Sequence, residues 1–121
     1  MEENRDVTTV ESHDFRKKNR YGGHELPVHI RKDGQVDNEI VNVWRSQHEK
    51  DEIVWISEGD EFSIEFPPNS SPFDAHHFDV PAGGAVHSGP ARDDAASGSY
   101  QYFVTNVALA MSADPGVNIK P

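Results

Sequence analysis

The chain has 121 residues, 35% of them hydrophobic, a formal net charge of −10 and no cysteine, one domain's length of rather polar material. That length and polarity exclude a multidomain enzyme, and no run of about 18 apolar residues is present to cross a membrane as a helix. The missing cysteine excludes disulfides, cysteine-ligated zinc, iron–sulfur clusters and thiol nucleophiles.

Residues 1–22 read as a flexible charged arm, in which Val7, Val10 and Phe15 are the only large aliphatic or Phe side chains. Residues 23–121 read as the folded domain. From residue 26 the hydrophobic period is two: Val28 and Ile30 alternate with His29 and Arg31, and Lys32-Asp33-Gly34-Gln35 turns the chain. Ile40–Trp44 is a second strand. After the polar loop Ser46–Asp51, Ile53-Val54-Trp55-Ile56 is apolar enough to be a central strand. Ser57–Asp60 is a turn, and Phe62, Ile64 and Phe66 then alternate with polar residues as a half-buried strand does. Pro67–Pro72 forms a loop; Phe73, Phe78 and Val80 lead into Pro81-Ala82-Gly83-Gly84 and a strand over Ala85–Ser88. Gly89–Gly98 is a second long loop. Tyr100, Tyr102 and Val104 alternate along one strand, and Val117–Ile119 closes the chain after the turn Asp114-Pro115-Gly116.

The kind of apolar residue supports this reading. Val and Ile number 18 and Leu only 2, with eight Pro and nine Gly between them. Branching at Cβ stiffens χ1 and suits a pleated backbone, whereas a helical bundle needs Leu at a 3.6-residue period. The expectation is all-β: an about seven-stranded Greek-key β-sandwich, cupredoxin-like or immunoglobulin-like.

The order of landmarks carries a resemblance. Ile53-Val54-Trp55 precedes Asp60-Glu61-Phe62-Ser63-Ile64-Glu65-Phe66, then come Phe78-Asp79-Val80-Pro81-Ala82-Gly83-Gly84, Gly98-Ser99-Tyr100-Gln101-Tyr102 and Pro115-Gly116-Val117-Asn118-Ile119. Over about residues 26–121 this resembles the cupredoxin family, the plastocyanin- and azurin-like sandwiches. In that family the Tyr-bearing strand delivers a copper-binding Cys, followed by His and Met in the next loop. Aligned on Tyr100 and Tyr102, the Cys position falls on Val104. The loop Thr105–Asp114 holds Met111 but no His. A weak axial thioether does not hold copper without thiolate and imidazoles. The resemblance implies the fold and argues against copper electron transfer.

No catalytic, cofactor or metal residue is assigned. Gly98-Ser99-Tyr100 lacks the second glycine of a nucleophile elbow, and Asp60-Glu61 and Asp93-Asp94 sit in turns and loops. Seven His invite one metal alternative. If residues 81–84 form a hairpin turn, His76 and His87 share a face diagonally across two strands, with Asp74 or Asp79 adjacent. The competing reading is scattered surface histidines. Trp55, between Val54 and Ile56, reads as a core plug; Trp44, before Arg45, is the better candidate for exposure.

Charge is uneven. Residues 51–121 hold 2 Lys/Arg against 11 Asp/Glu, while the one basic cluster, Arg16-Lys17-Lys18-Asn19-Arg20, lies at the N-terminal side. Direct nucleic-acid binding through the acidic body is not expected. Together these features predict a cytoplasmic, non-enzymatic module that binds another protein, with no membrane and no cofactor. The loops Pro67–Phe73, Gly89–Gly98 and Thr105–Asp114 are the expected contact surface. Two alternatives stand beside it: an acidic inhibitor or regulator that occupies a basic nucleic-acid-handling surface, and a histidine-based metal binder.

Overall fold

The computed structural model describes residues 17–46, 49–106 and 115–121. Among them the chain is all-β, with nine strands in three sheets and no helix. Among the described residues, no helix is long and apolar enough to cross a membrane.

Side-chain alternation places each strand. In β1 (Gly22–Ile30), Leu26, Val28 and Ile30 are buried while Pro27 is exposed. Pro27 lacks an N–H to give to a ladder, and it is tolerated because β1 is an edge strand. β2 (Ile40–Trp44) buries Val41 and Val43 and exposes Ile40, Asn42 and Trp44. β3 (Lys50–Ser57) is central to the first sheet, parallel to β1 and antiparallel to β6 (Ala85–Pro90). The second sheet has the order β2-β9-β7, with β9 (Gly116–Lys120) parallel to β2 and antiparallel to β7 (Gly98–Gln101). The third has β4 (Phe62–Glu65) between β5 (His77–Val80) and β8 (Phe103–Thr105), antiparallel to both.

Inward residues from all three sheets meet in one core. Trp55 lies at its centre, with ring centroids 5.1 Å from Phe78, 5.5 Å from Tyr102 and 6.4 Å from both Phe66 and Phe73. Tilted and edge-on pairs of this kind add about 0.5–1.5 kcal/mol each beyond the area they bury. The core role expected of Trp55 is what the structure shows.

Three elements differ from expectation. His77–Val80 is a strand, because its backbone pairs with β4 residue by residue, from Phe62 opposite Val80 to Glu65 opposite His77. The run Gly98–Thr105 is two strands. It pairs with β9 up to Gln101 and with β4 from Phe103, and between them the Tyr102 N–H donates to Pro115 O (3.1 Å). Period-two alternation is unbroken across that corner, so the pattern alone reads as one strand. Finally, Pro81–Gly84 does form a turn, with Gly84 N–H donating to Pro81 O (2.9 Å) and Gly83 at φ 64°. It is not a hairpin: β5 before it belongs to the third sheet and β6 after it to the first.

The described part of the N-terminal region, Lys17–Tyr21, folds back on β1. Lys18 bridges to His24, and the Asn19 side chain accepts from the N–H of Tyr21 and of Gly23 (both 2.9 Å) while donating to Lys50 O (2.8 Å). Gly23 permits this approach, since a Cβ there would sit 2.5 Å from the Lys50 carbonyl. Val7, Val10, Phe15 and Arg16 lie outside the described residues.

Two arginines secure the long loops. Arg92 donates through Nε to Phe73 O (3.1 Å) and through Nη2 to Ser71 O (2.7 Å), and it pairs with Asp94 (2.7 Å). Arg45 donates from Nη1 to the carbonyls of Arg92 and Ala95 (both 2.6 Å). Residues 89–98 and 71–73 are thereby fastened to each other and to the end of β2. Ser71, Phe73, Ala91 and Ala95 are buried. Of the third loop expected to make contacts, residues 107–114 lie outside the described residues.

Candidate functional site

The outward face of the first sheet departs from the usual rule that such a face is polar. The parallel register sets Glu25 opposite Glu52, Pro27 opposite Val54 and His29 opposite Ile56; on the other side of β3, His87 stands opposite Val54 and Ala85 opposite Ile56. One end of this face therefore holds two carboxylates and an imidazole, and its middle is apolar.

The apolar part floors a groove of about 780 Å³, lined by Pro27, Val54 and Ile56 and by Ile40, Asn42 and Trp44 from β2. Ile40 and Trp44 are each 54% exposed and lie four residues apart on one face of β2. β2 pairs in a ladder with β9 alone; at its end the other edge is tied to β3, by the Arg45–Lys50 bridge and the Trp44 N–H on Asp51, and no ladder covers it over Ile40–Val43 among the described residues. Phe103 is also exposed, but it stands away from this groove, and a single exposed ring is ordinary. The exposure expected of Trp44 is thus observed.

Where β2 meets β3, the buried Asp51 is fully used. Its Oδ1 accepts from the His24 N–H (2.9 Å) and its Oδ2 from the Trp44 N–H (3.3 Å). Glu52, the next residue, faces the other way into a recess of about 460 Å³, where its Oε1 lies 3.3 Å from His87 Nδ1. Glu25, Glu52 and His87 each bring a ligand-type atom within 4.8 Å of the others, the one such group of three among the described residues.

His76, His87, Asp74 and Asp79 do not come together. His87 turns to Glu52 on the first sheet, whereas Asp79 lies on β5 and contacts His77; Asp74 and His76 precede β5 and are exposed. The hairpin that would have set His76 beside His87 is the arch described above. His24 and His29 lie near Asp51 and Glu58, and His13 and His48 lie outside the described residues. Asp93 pairs with Lys50 and Asp94 with Arg92, while Ser99 donates to Asn118. Val104, at the position aligned with a copper-ligating Cys, is fully buried in the core; Met111 lies outside the described residues.

His77 illustrates surface histidine chemistry. It stands opposite Glu65 in the ladder, contacts that carboxylate through Nδ1 and reaches Asp79 through Nε2 (2.8 Å). The hydrogen bond to Glu65 and then that to Asp79 hold the imidazolium and raise its pKa above the ordinary 6.5. A raised folded-state pKa gives stability that is fully present below the unfolded value and lost as pH rises through the folded one. Exposure keeps the effect small. The His77 ring resonances are expected to titrate with a midpoint above 6.5, and Glu65→Gln should move that midpoint down. A midpoint unmoved by the substitution rules out the pairing in solution.

Sequence reasoning missed Glu25 and Glu52. Glu52 carried a local signal, an acidic residue leading directly into Ile53-Val54-Trp55-Ile56. The partner across the sheet carried none, because a parallel pairing of β1 with β3 leaves no turn to mark it. No protein-family model matches the chain, and no curated protein is significantly similar to it.

Proposed function

We propose that the chain is a non-enzymatic, copper-free cupredoxin-like sandwich that binds a protein partner along the exposed face of β2. The mixed pairing supports the sandwich type: two of the six strand pairings are parallel, whereas an immunoglobulin sandwich is built of antiparallel sheets. The observation that carries the binding role is the placement of Ile40 and Trp44. Both project from an edge strand whose outer side carries no ladder over Ile40–Val43 among the described residues, beside a groove floored by Pro27, Val54 and Ile56. Sheet edges capture extended segments by main-chain hydrogen bonds, with alternate side chains set into pockets. The occupant that fits is an extended partner segment with apolar side chains and flanking Lys or Arg, since the chain carries a net charge of −10.

The same charge supports a second reading, an acidic decoy for a basic nucleic-acid-handling surface, and salt separates the two. At ~1 M salt, where the Debye length is about 3 Å, an apolar groove contact persists and a charge decoy lets go. The decisive comparison uses the wild type and an Ile40→Asp/Trp44→Asp variant of unchanged circular dichroism. The wild type is expected to retain one stoichiometric partner from native lysate, and the variant at least tenfold less. Equal retention by both chains defeats the proposal. Loss of the partner in high salt transfers the function to the decoy. A wild-type dimer that the variant dissolves makes the occupant a second copy instead.

A further inference from the structure

We infer that Glu25, Glu52 and His87 form a binding site for a divalent transition-metal cation in the recess beside the β2 groove, with Glu25 lining both. Glu25 and Glu52 stand directly opposite on parallel strands, an arrangement in which like charges destabilise a sheet. Glu52 is moreover only 5% exposed at its side chain, and a carboxylate is almost never buried without a partner. No hydrogen bond reaches that carboxylate from a described residue; its contact is His87 Nδ1 at 3.3 Å. Lys18 and Arg20 line the same recess, yet neither forms an ion pair with a carboxylate among the described residues. A cation between the two carboxylates removes both penalties at once.

The donor set also selects the ion. One imidazole nitrogen with two carboxylate oxygens suits zinc, manganese or iron(II); a soft copper(I) site needs sulfur, and calcium takes six or more oxygens. Ligands about 2.0–2.2 Å from one ion lie roughly 3.3–3.5 Å apart in a tetrahedron, tighter than the 4.8 Å bound seen without an ion. The required closure falls on Glu25 and His87, which are half-buried and exposed, and leaves the buried Glu52 in place. Three protein ligands leave at least one coordination position open to the recess, as in exchangeable sites.

Isothermal titration of the chelator-treated, untagged full chain with zinc chloride tests the inference. One ion per chain is expected, and zinc should raise the melting temperature. His87→Ala and Glu52→Gln should each weaken binding by tenfold or more and abolish the thermal shift, with His76→Ala unchanged. Should Glu52→Gln fold poorly, His87→Ala and Glu25→Gln, at more exposed positions, decide the matter. A flat heat trace overturns the site. So does an affinity that survives His87→Ala but is lost in His76→Ala or His77→Ala.

Discussion

Replacing Trp55 with alanine is expected to lower the free energy of unfolding by about 3–5 kcal/mol, the cost of a fully buried indole together with its cavity. The ring is inaccessible to solvent and sits among Phe66, Phe73, Phe78 and Tyr102. Those four come from the end of β4, the Ser71–Phe73 loop, β5 and the corner between β7 and β8, so a void at Trp55 loosens contacts between sheets as well as within one. A domain of this size has roughly 5–15 kcal/mol in hand, and the variant therefore keeps little of it. Urea unfolding followed by far-ultraviolet circular dichroism measures the loss; a change below about 1 kcal/mol shows that the cluster is not the core. Tyr102→Phe provides the contrast. Neither the Tyr102 hydroxyl nor Trp55 Nε1 has a hydrogen-bond partner of good geometry among the described residues, and burial pushes the Tyr102 pKa up to about 12 against a weaker, opposing pull from the neighbouring Trp55 indole N–H. Removing a buried hydroxyl that makes no well-formed hydrogen bond is expected to be neutral or to stabilise the fold by about 1 kcal/mol.

The same cluster shows what the sequence made legible. Trp55 lay in the most apolar run of the chain, and Phe62, Ile64 and Phe66 alternated cleanly, so their inward faces followed from period two. Trp44 carried an exposure signal, its place before Arg45, whereas Ile40, in one apolar run with Val41 and Val43, carried none, although residues 40, 42 and 44 share the outward face. What period two does not encode is which strand lies beside which. Tyr102 keeps the alternation while the chain changes sheets, and Pro81–Gly84 has hairpin chemistry but joins β5 and β6 in different sheets. The histidine set failed for that reason. His87 was placed by a turn, and the turn was an arch, so its carboxylate neighbours are Glu52 and Glu25 in place of Asp74 and Asp79. The loops Pro67–Phe73 and Gly89–Gly98, likewise, read as recognition surfaces because the loops at one end of a sandwich commonly are. Nothing local revealed that Arg45 and Arg92 would consume their carbonyls.

Arg92→Ala is expected to destabilise the chain by about 2–4 kcal/mol, because it strips charged donors from two backbone acceptors at once. Phe73 O and Ser71 O accept from Nε and Nη2 of one guanidinium at 3.1 and 2.7 Å, beside residues that are themselves buried. With Arg92 removed Ser71 O keeps its desolvation and loses its donor, and Phe73 O is left with the long Ser71 Oγ contact at 3.4 Å. The Asp94 pair adds little, since that carboxylate is exposed. Arg92→Lys should recover less than half of the loss, since a single ammonium does not present two donors in the fixed fork that spans residues 71 and 73. Full recovery by lysine, measured by urea unfolding, shows that charge alone was at work. Hydrogen exchange gives a second readout: amides of residues 71–75 and 91–95 should lose protection in Arg92→Ala well before those of β3. Because Arg45 bonds the carbonyls of Arg92 and Ala95, this loosening reaches the end of β2. If the proposed contact at Ile40 and Trp44 holds, a chain with Arg92→Ala that still folds is then expected to bind there more weakly without any change at either residue, which would tie the fastening of the loops to the proposed contact face.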